Sequence, residues 1–490
     1  MLPKAKFYLA KNHKEHIDIA AYPAFSLVVD NWDDFGTRCQ YYLYFHDNQR
    51  VRHEIGSVKI LHKEKSRTKL PDVFEELDEE YVSLGQDVGF YHALLKSCQF
   101  SLAKTTLEAL RDIAWQPAVA ELFETDSSFR NALIRFNTAQ KARRFGGAII
   151  RGEEIYEKYS FQYRTVIPGA EDETECCVDL DASDEVPGRI VAIIGRNATG
   201  KTQFLSRLAS DLVQIERISK KRSDQRDDSF TPQRPLFNRV IAVSYSAFDQ
   251  FSRPKSAQVS YVYCGIRNEK GGLSRRHLAQ GYRANLERIR KHSRESDWLR
   301  FMGSILGERG EEFESHLERE ITDSSIQDDS LSVLSSGQAI LANFITSLVA
   351  WLDEDSIVLF DEPETHLHPN AVASLFNVLN KMLEKYNAYA ILATHSPLVI
   401  QEVPSKRVVV FEREGNYTTA KTIQVETFGE AVSELTRHVF ETIEIPTFYR
   451  KVLRELSHSK DFEEVMGLFD NGLSMNAQSY LLSQYMDEAK

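Results

Sequence analysis

The sequence predicts an α/β fold: a sheet carrying a phosphate-binding loop, a helical lobe, an N-terminal α+β addition and C-terminal helices. Three observations predict it. Arg189-Ile190-Val191-Ala192-Ile193-Ile194 is a nearly continuous apolar run, as a strand buried on both faces of a sheet requires. Gly195-Arg196-Asn197-Ala198-Thr199-Gly200-Lys201-Thr202 follows directly and fits G-x-x-x-x-G-K-[ST], with a helix-like segment after it. Far downstream, Ser356-Ile357-Val358-Leu359-Phe360 is a second apolar strand, ending in Asp361-Glu362.

The chain has 490 residues, too many for one ordinary domain. Sixty Lys and Arg against 72 Asp and Glu leave a net charge of −12, which argues against a surface that grips nucleic acid all round. A local basic stripe is still compatible with that charge. Five scattered cysteines contain no C-x-x-C pair, so neither a zinc ribbon nor a disulfide scaffold is indicated. If Cys176 and Cys177 lie on a strand, they point to opposite faces. No segment approaches the ~18–20 apolar residues of a membrane span, and the expectation is a cytoplasmic chain without membrane partners.

Strands are expected at Ala24–Val29, Cys39–Phe45 and Ile55–Leu61, where β-branched and aromatic residues lie between polar turns. From Asp72 to about Lys141 the apolar spacing turns helical. A strand pair is expected near Ala148–Ile150 and Tyr159–Val166, then a strand at Cys177–Leu180 before the Pro187-Gly188 turn. Residues 215–235 are charged and hold Pro232 and Pro235, which reads as a flexible excursion. Residues 275–300 carry eight bases against three acids and 308–329 nine acids against two bases, decorating a helical subdomain. The last 60 residues read as short helices broken at Pro446 and Asn471-Gly472.

The chemistry-bearing residues follow from these elements. The glycines let the backbone N–H groups of 195–202 curl around phosphates, and the helix N-terminus adds positive potential. Lys201 supplies a charge to the terminal phosphates and the Thr202 hydroxyl a Mg²⁺ ligand. Asp361 is a second candidate Mg²⁺ ligand, and Glu362 a candidate to polarise the attacking water. Leu334-Ser335-Ser336-Gly337-Gln338 precedes a helix-like run, and a small, hydroxyl-bearing turn there is an anion site. Tyr389-Ala390-Ile391-Leu392-Ala393-Thr394-His395-Ser396 is a strand ending in a hydroxyl and an imidazole.

In this order, the phosphate loop, LSSGQ, VLFDEP and ATHSP resemble the ABC-type ATPases, a group that includes SMC-like, RecF-like and OLD-like proteins. The resemblance implies an ABC-type head binding ATP and Mg²⁺, with nucleotide sandwiched between two heads. It implies that Ser335 and Gly337 contact the γ-phosphate in trans, that Gln338 belongs to the same nucleotide-binding signature, and that His395 is the switch histidine. Gln250 is then the candidate Q-loop glutamine and metal contact. Ser336 and Ala198 stand where Gly is common in relatives. The segment Asp361-Glu362-Pro363-Glu364-Thr365-His366-Leu367-His368-Pro369 looks like OLD-type and defence ATPases rather than transporter subunits; His366 and His368 are read as part of a loop across the dimer seam.

Only about 80 residues separate Gln250 from the signature, too few for long coiled-coil arms. After His395 the aspartates are Asp461, Asp470 and Asp487, so no Toprim-like D-x-D follows, and no H-N-H pattern is visible. That combination resembles the PtuA-type ATPase subunit of Septu anti-phage systems, also found in some retrons. It implies an HNH nuclease partner in trans and, in a retron, a reverse transcriptase with its RNA–DNA. The alternative is a RecF-like DNA-binding ATPase using residues 275–300 as its DNA contact. The expected organisation is an N-terminal region at 1–145, a lobe with the phosphate loop and Q-loop at 146–250, and a helical lobe at 251–330. Signature, acidic strand and histidine occupy 331–425, and a partner-docking helical segment 426–490.

Overall fold

Alternating side chains in the N-terminal strands build the first sheet. Its strands are β1 (Phe7–Ala10), β2 (Ala24–Val29), β3 (Gln40–His46), β4 (Arg52–His62), β5 (Val73–Phe74) and β6 (Tyr81–Gly85), in the order β5-β1-β2-β3-β4-β6. Tyr41, Leu43 and Phe45 of β3 enter one core, and helices α1 (Val88–Ser97) and α2 (Asn137–Arg151) contribute Phe90, Leu94, Ala139 and Ile149 to it. The computed structural model describes residues 6–246, 251–252, 260–267, 272, 275–306, 311–322, 331, 334–365, 367–438 and 448–488.

Two expectations fail here. The helical pattern starts at Val88 rather than Asp72, because Tyr81–Gly85 pairs antiparallel with β4 and buries Val82 and Leu84. Ala148–Ile150 is the last stretch of α2, not a strand. A three-residue apolar run fits either state, and here Gly152, at φ +76°, closes a helix by donating its N–H to the Ile149 carbonyl.

Among the described residues ten further strands complete the sheets: β7 (Phe161–Val166), β8 (Glu173–Val178), β9 (Ile190–Gly195), β10 (Phe230–Thr231), β11 (Arg239–Ser244), β12 (Tyr261–Gly265), β13 (Ser356–Asp361), β14 (Tyr389–Ala393), β15 (Val408–Glu414) and β16 (Tyr417–Thr422). β10-β7-β8 is a small antiparallel sheet, and β12-β11-β13-β14-β9-β15-β16 is the central one. Strands β12 through β15 in that order pair parallel, and only β16 runs antiparallel. Every residue of β9, β11, β13 and β14 is buried, as strands covered on both faces must be. Helices α3 (Lys201–Leu212), α4 (Arg275–Lys291), α5 (Glu295–Leu306), α6 (Glu311–Thr322), α7 (Ser336–Trp351) and α8 (Pro369–Lys385) follow.

Residues 215–235 are not a loose excursion. They contain a helix, Lys220–Asp228, and bury Arg226 and Arg234. Arg234 donates to Asn137 Oδ1 at 2.9 Å and to the Leu212 carbonyl at 2.7 Å, tying the segment to α2. Cys176 is buried and Cys177 exposed, and all five cysteines are free. Among the described residues no helix is long and apolar enough to cross a membrane.

The chain divides into two units, Met1–Glu430 and Ala431–Lys490. The second holds short helices at Val432–His438, Phe448–Ser457, Phe462–Met466 and Met475–Glu488, with Leu453, Val465, Ala477 and Leu481 at its centre.

One buried ion cluster anchors the N-terminal sheet. Asp34 accepts from Lys59 at 2.7 Å and from Arg135 at 2.9 Å, with both Asp34 and Lys59 side chains 1% exposed. Removing the anion strands two cations away from water. Asp34→Ala is therefore expected to cost about 3–5 kcal/mol, measured by urea unfolding; a loss under about 1 kcal/mol would contradict this role.

Candidate functional site

Parallel register brings three strand ends to one edge. Ile193 of β9 pairs with Ala393 of β14, and Ala393 with Asp361 of β13. Beyond them, Glu362 N–H donates to the Ala393 carbonyl at 2.8 Å, and Thr394 N–H to the Ile193 carbonyl at 3.0 Å. Gly195, Glu362 and His395 thus leave the sheet side by side.

The loop Gly195–Thr202 wraps from β9 into α3. Gly195 has φ +150°, and a Cβ there would stand 2.3 Å from the Phe411 carbonyl oxygen. Gly200 has φ +97°, and a Cβ on it would meet Ile167 Cγ2 at only 2.5 Å. Both sites demand glycine. Ala198 also takes a left-handed φ, +65°, where a glycine would relieve roughly 1 kcal/mol of strain. Thr199 Oγ1 donates to the Arg196 carbonyl at 2.9 Å and braces the turn.

Lys201 is buried, and its ammonium donates to the carbonyls of Gly195 at 2.8 Å and Arg196 at 3.1 Å. Burial lowers its pKa, while the carboxylates of Glu362, Asp361 and Glu364 act in the opposite direction. Thr202 Oγ1 donates to both Asp361 oxygens, at 2.9 and 3.0 Å. A hydroxyl and a buried carboxylate meeting at one point are hard oxygen donors, which fit Mg²⁺.

Glu362 sits at φ +50° and accepts from Thr365 Oγ1 at 3.2 Å. His395 Nδ1 lies 4.0 Å from Glu362 Oε1 but 3.2 Å from Glu364 Oε1. A cleft of about 510 Å³ opens over these groups, with Asn197, Ala198, Gly200, Lys201, Thr202, Glu362 and His395 in its walls. Three wall residues escaped the sequence reading: Gln203, directly after the loop, and two distant from it in sequence, Pro168, from the β7–β8 connection, and Arg413, whose guanidinium donates to the Gly169 carbonyl at 2.6 Å. Neither belongs to a motif, and only the pairing of β15 with β9 brings Arg413 here. Glu364 also escaped; its signal was a second acid after Pro363 in the same turn.

Ser335 is the N-cap of α7, and its hydroxyl and the Gln338 side chain close a capping box at 3.4 and 3.3 Å. Ser335 is exposed, Gly337 and Gln338 are half-buried, and none of the three lines the cleft around the phosphate loop. The expected Q-loop residue Gln250 and the loop residue His366 lie outside the described residues. His368 is the N-cap of α8, and among the described residues no cluster of three metal-ligating side chains occurs.

The basic block at 275–300 is partly turned inward. Arg288 donates to the Ala350 carbonyl at 2.8 Å, and Arg294 to those of Val349 and Leu352 at 3.0 and 2.6 Å. Arg290 donates to the Ile321 and Glu320 carbonyls at 2.8 and 2.7 Å. Three arginines thus cap the C-terminal ends of α7 and α6, where helix carbonyls favour cations. Arg283, Lys291 and Arg300 remain exposed.

Residues 274–401 match the family described as "AAA domain, putative AbiEii toxin, Type IV TA system". With that match, which spans the acidic end of β13 and His395, the phosphate loop on a central parallel strand completes the site of an ATPase. The chain is 28% identical over 509 residues to protein ea59 of Escherichia phage lambda, covering 95% of each. It is 31% identical over 67 residues to the lipoprotein-releasing system ATP-binding protein LolD of Buchnera aphidicola, covering 14% of this chain and 28% of that one. Among solved structures, cbiO1 from Clostridium perfringens aligns at 16% identity and TM-score 0.32, covering 62% of this chain and 96% of that one. The SMC head domain from Thermotoga maritima aligns at 12% and 0.28, covering 55% and 100%.

Gly195→Ala tests the loop directly. Strain of about 1–3 kcal/mol at this backbone is expected to weaken binding of a fluorescent ATP analogue roughly tenfold or more; unchanged affinity would contradict the tight approach to Phe411.

Proposed function

We propose that this chain is the ATPase subunit of an anti-phage defence complex, in which paired heads bind and hydrolyse ATP and control an HNH-type nuclease in trans. The observation that carries the paired-head reading is the position of the signature: Ser335 is an exposed helix N-cap, absent from the wall of its own cleft. An anion-binding helix end left outside one cleft suits the cleft of another copy. The full-length likeness to a phage lambda protein supports a setting among phages and their hosts. A reverse transcriptase with its RNA–DNA is the added partner in a retron setting, and the unit Ala431–Lys490, with Phe448 exposed, is the surface proposed to dock the nuclease.

In this reading the loop amides of 195–202 bind the phosphates, and Lys201 exchanges its two carbonyl contacts for phosphate oxygens. Thr202 and Asp361 hold Mg²⁺, which when bound neutralises phosphate charge; Gln250 joins them. Glu362 orients and polarises the attacking water, and His395 contacts the γ-phosphate. Ser335, Gly337 and Gln338 complete the partner copy's site. A DNA contact through 275–300 is the weaker reading, because Arg288, Arg290 and Arg294 already serve as helix caps.

Glu362→Gln is expected to bind ATP normally while lowering turnover about 10²-fold or more, and to accumulate as ATP-bound dimers on size exclusion with light scattering. Normal turnover would assign water activation to another group. Ser335→Arg is expected to leave ATP binding to the single chain within about threefold but abolish ATP-dependent association; unchanged association would take the signature out of the interface.

A further inference from the structure

Glu364 is the carboxylate of the site to which the sequence motifs assign no role. Its Oε1 accepts from Thr394 Oγ1 at 2.8 Å and from the His395 backbone N–H at 2.9 Å, and lies 3.2 Å from His395 Nδ1. The side chain is 12% exposed, and its second oxygen is buried with no hydrogen-bond partner. A buried, half-satisfied carboxylate is costly, and packing alone would be served better by an apolar side chain. Its one engaged oxygen accepts from the backbone of His395 and stands beside the ring nitrogen of the same residue. Glu362 lies farther from the ring nitrogen, at 4.0 Å, so Glu364 is the nearer carboxylate to the ring and the Glu362 carboxylate stays available to a water.

We propose that Glu364 is a positioning residue that holds His395 in place for hydrolysis, acting through the ring and backbone of the histidine rather than on the nucleotide. The proposal rests on the roles assigned to Glu362 and His395 under the proposed function. Groups that orient a site residue from behind typically cost 10–100-fold when removed. Asn or Gln in this position keeps a carbonyl oxygen as acceptor, so the hydroxyl and backbone contacts survive without the charge.

The experiment compares Glu364→Ala, Glu364→Gln and His395→Ala, singly and with Glu364→Ala combined with His395→Ala, in the full chain. Glu364→Ala is expected to lower kcat roughly tenfold or more with the ATP KM within about threefold, and Glu364→Gln to recover most of that loss. In the His395→Ala background, Glu364→Ala is expected to add no further loss, because the two residues act as one unit. Without nucleotide, the ring-nitrogen NMR signals of His395, assigned by their disappearance in His395→Ala, are expected to shift in Glu364→Ala. Wild-type kcat in Glu364→Ala with an impaired His395→Ala would overturn the positioning role and leave the site reading intact. Full additivity, or failure of Glu364→Gln to recover turnover while it folds normally, would overturn it equally. Wild-type turnover in His395→Ala would instead overturn the reading beneath it.

Discussion

The molecule depends on the in-register parallel pairing of β13, β14 and β9. Because Asp361, Ala393 and Ile193 lie in one row, the residues that follow each strand emerge at one edge. A shift of one residue would turn every side chain of a strand to the other face, and full burial of these strands penalises that shift heavily. Loop, carboxylates and histidine are therefore placed by the same burial that holds the core together. β15 extends the row, and its Phe411 carbonyl packs so close to Gly195 that no side chain fits between them.

Hydrogen bonds from neighbouring elements brace this arrangement. Lys141 of α2 donates to Asp355, just before β13, at 2.6 Å and to Tyr159 at 2.7 Å. Asn137 of the same helix donates to the carbonyls of Leu212 and Phe237, both at 2.9 Å. The N-terminal region is thus bonded into the ATPase through this helix, and again through Asn131, which accepts from Gln214 Nε2 and from the Ile218 N–H. Inside the helical lobe, arginines spent on the ends of α6 and α7 fix the helix whose N-cap is Ser335. That geometry links the exposed N-cap Ser335 to a buried core through named hydrogen bonds.

Local chemistry was the readable part. The phosphate loop declares itself because its glycines, lysine and threonine are adjacent, and β9 and β13 because strands buried on both faces are apolar throughout. Ala148–Ile150 misled because so short a run carries no period, and Tyr81–Gly85 because its partner strand, not its own pattern, makes it a strand. The inward turn of Arg288, Arg290 and Arg294 was hidden because charge counts do not say which carbonyls a guanidinium meets. Pro168 and Arg413 reach the cleft only through tertiary pairing. Glu364 stood in plain view beside Glu362, yet its bond to His395 spans two strand ends and cannot be read along the chain.

A composite ATP site, built from one chain's phosphate loop and another chain's signature, is tested most directly by mixing two inactive variants. These are Lys201→Ala, which keeps its signature, and Ser335→Arg, which keeps its phosphate loop. A mixed pair contains one intact composite site, so ATP hydrolysis is expected to reappear on mixing and to rise with the fraction of mixed pairs. A mixture no more active than its separate components would contradict the composite site.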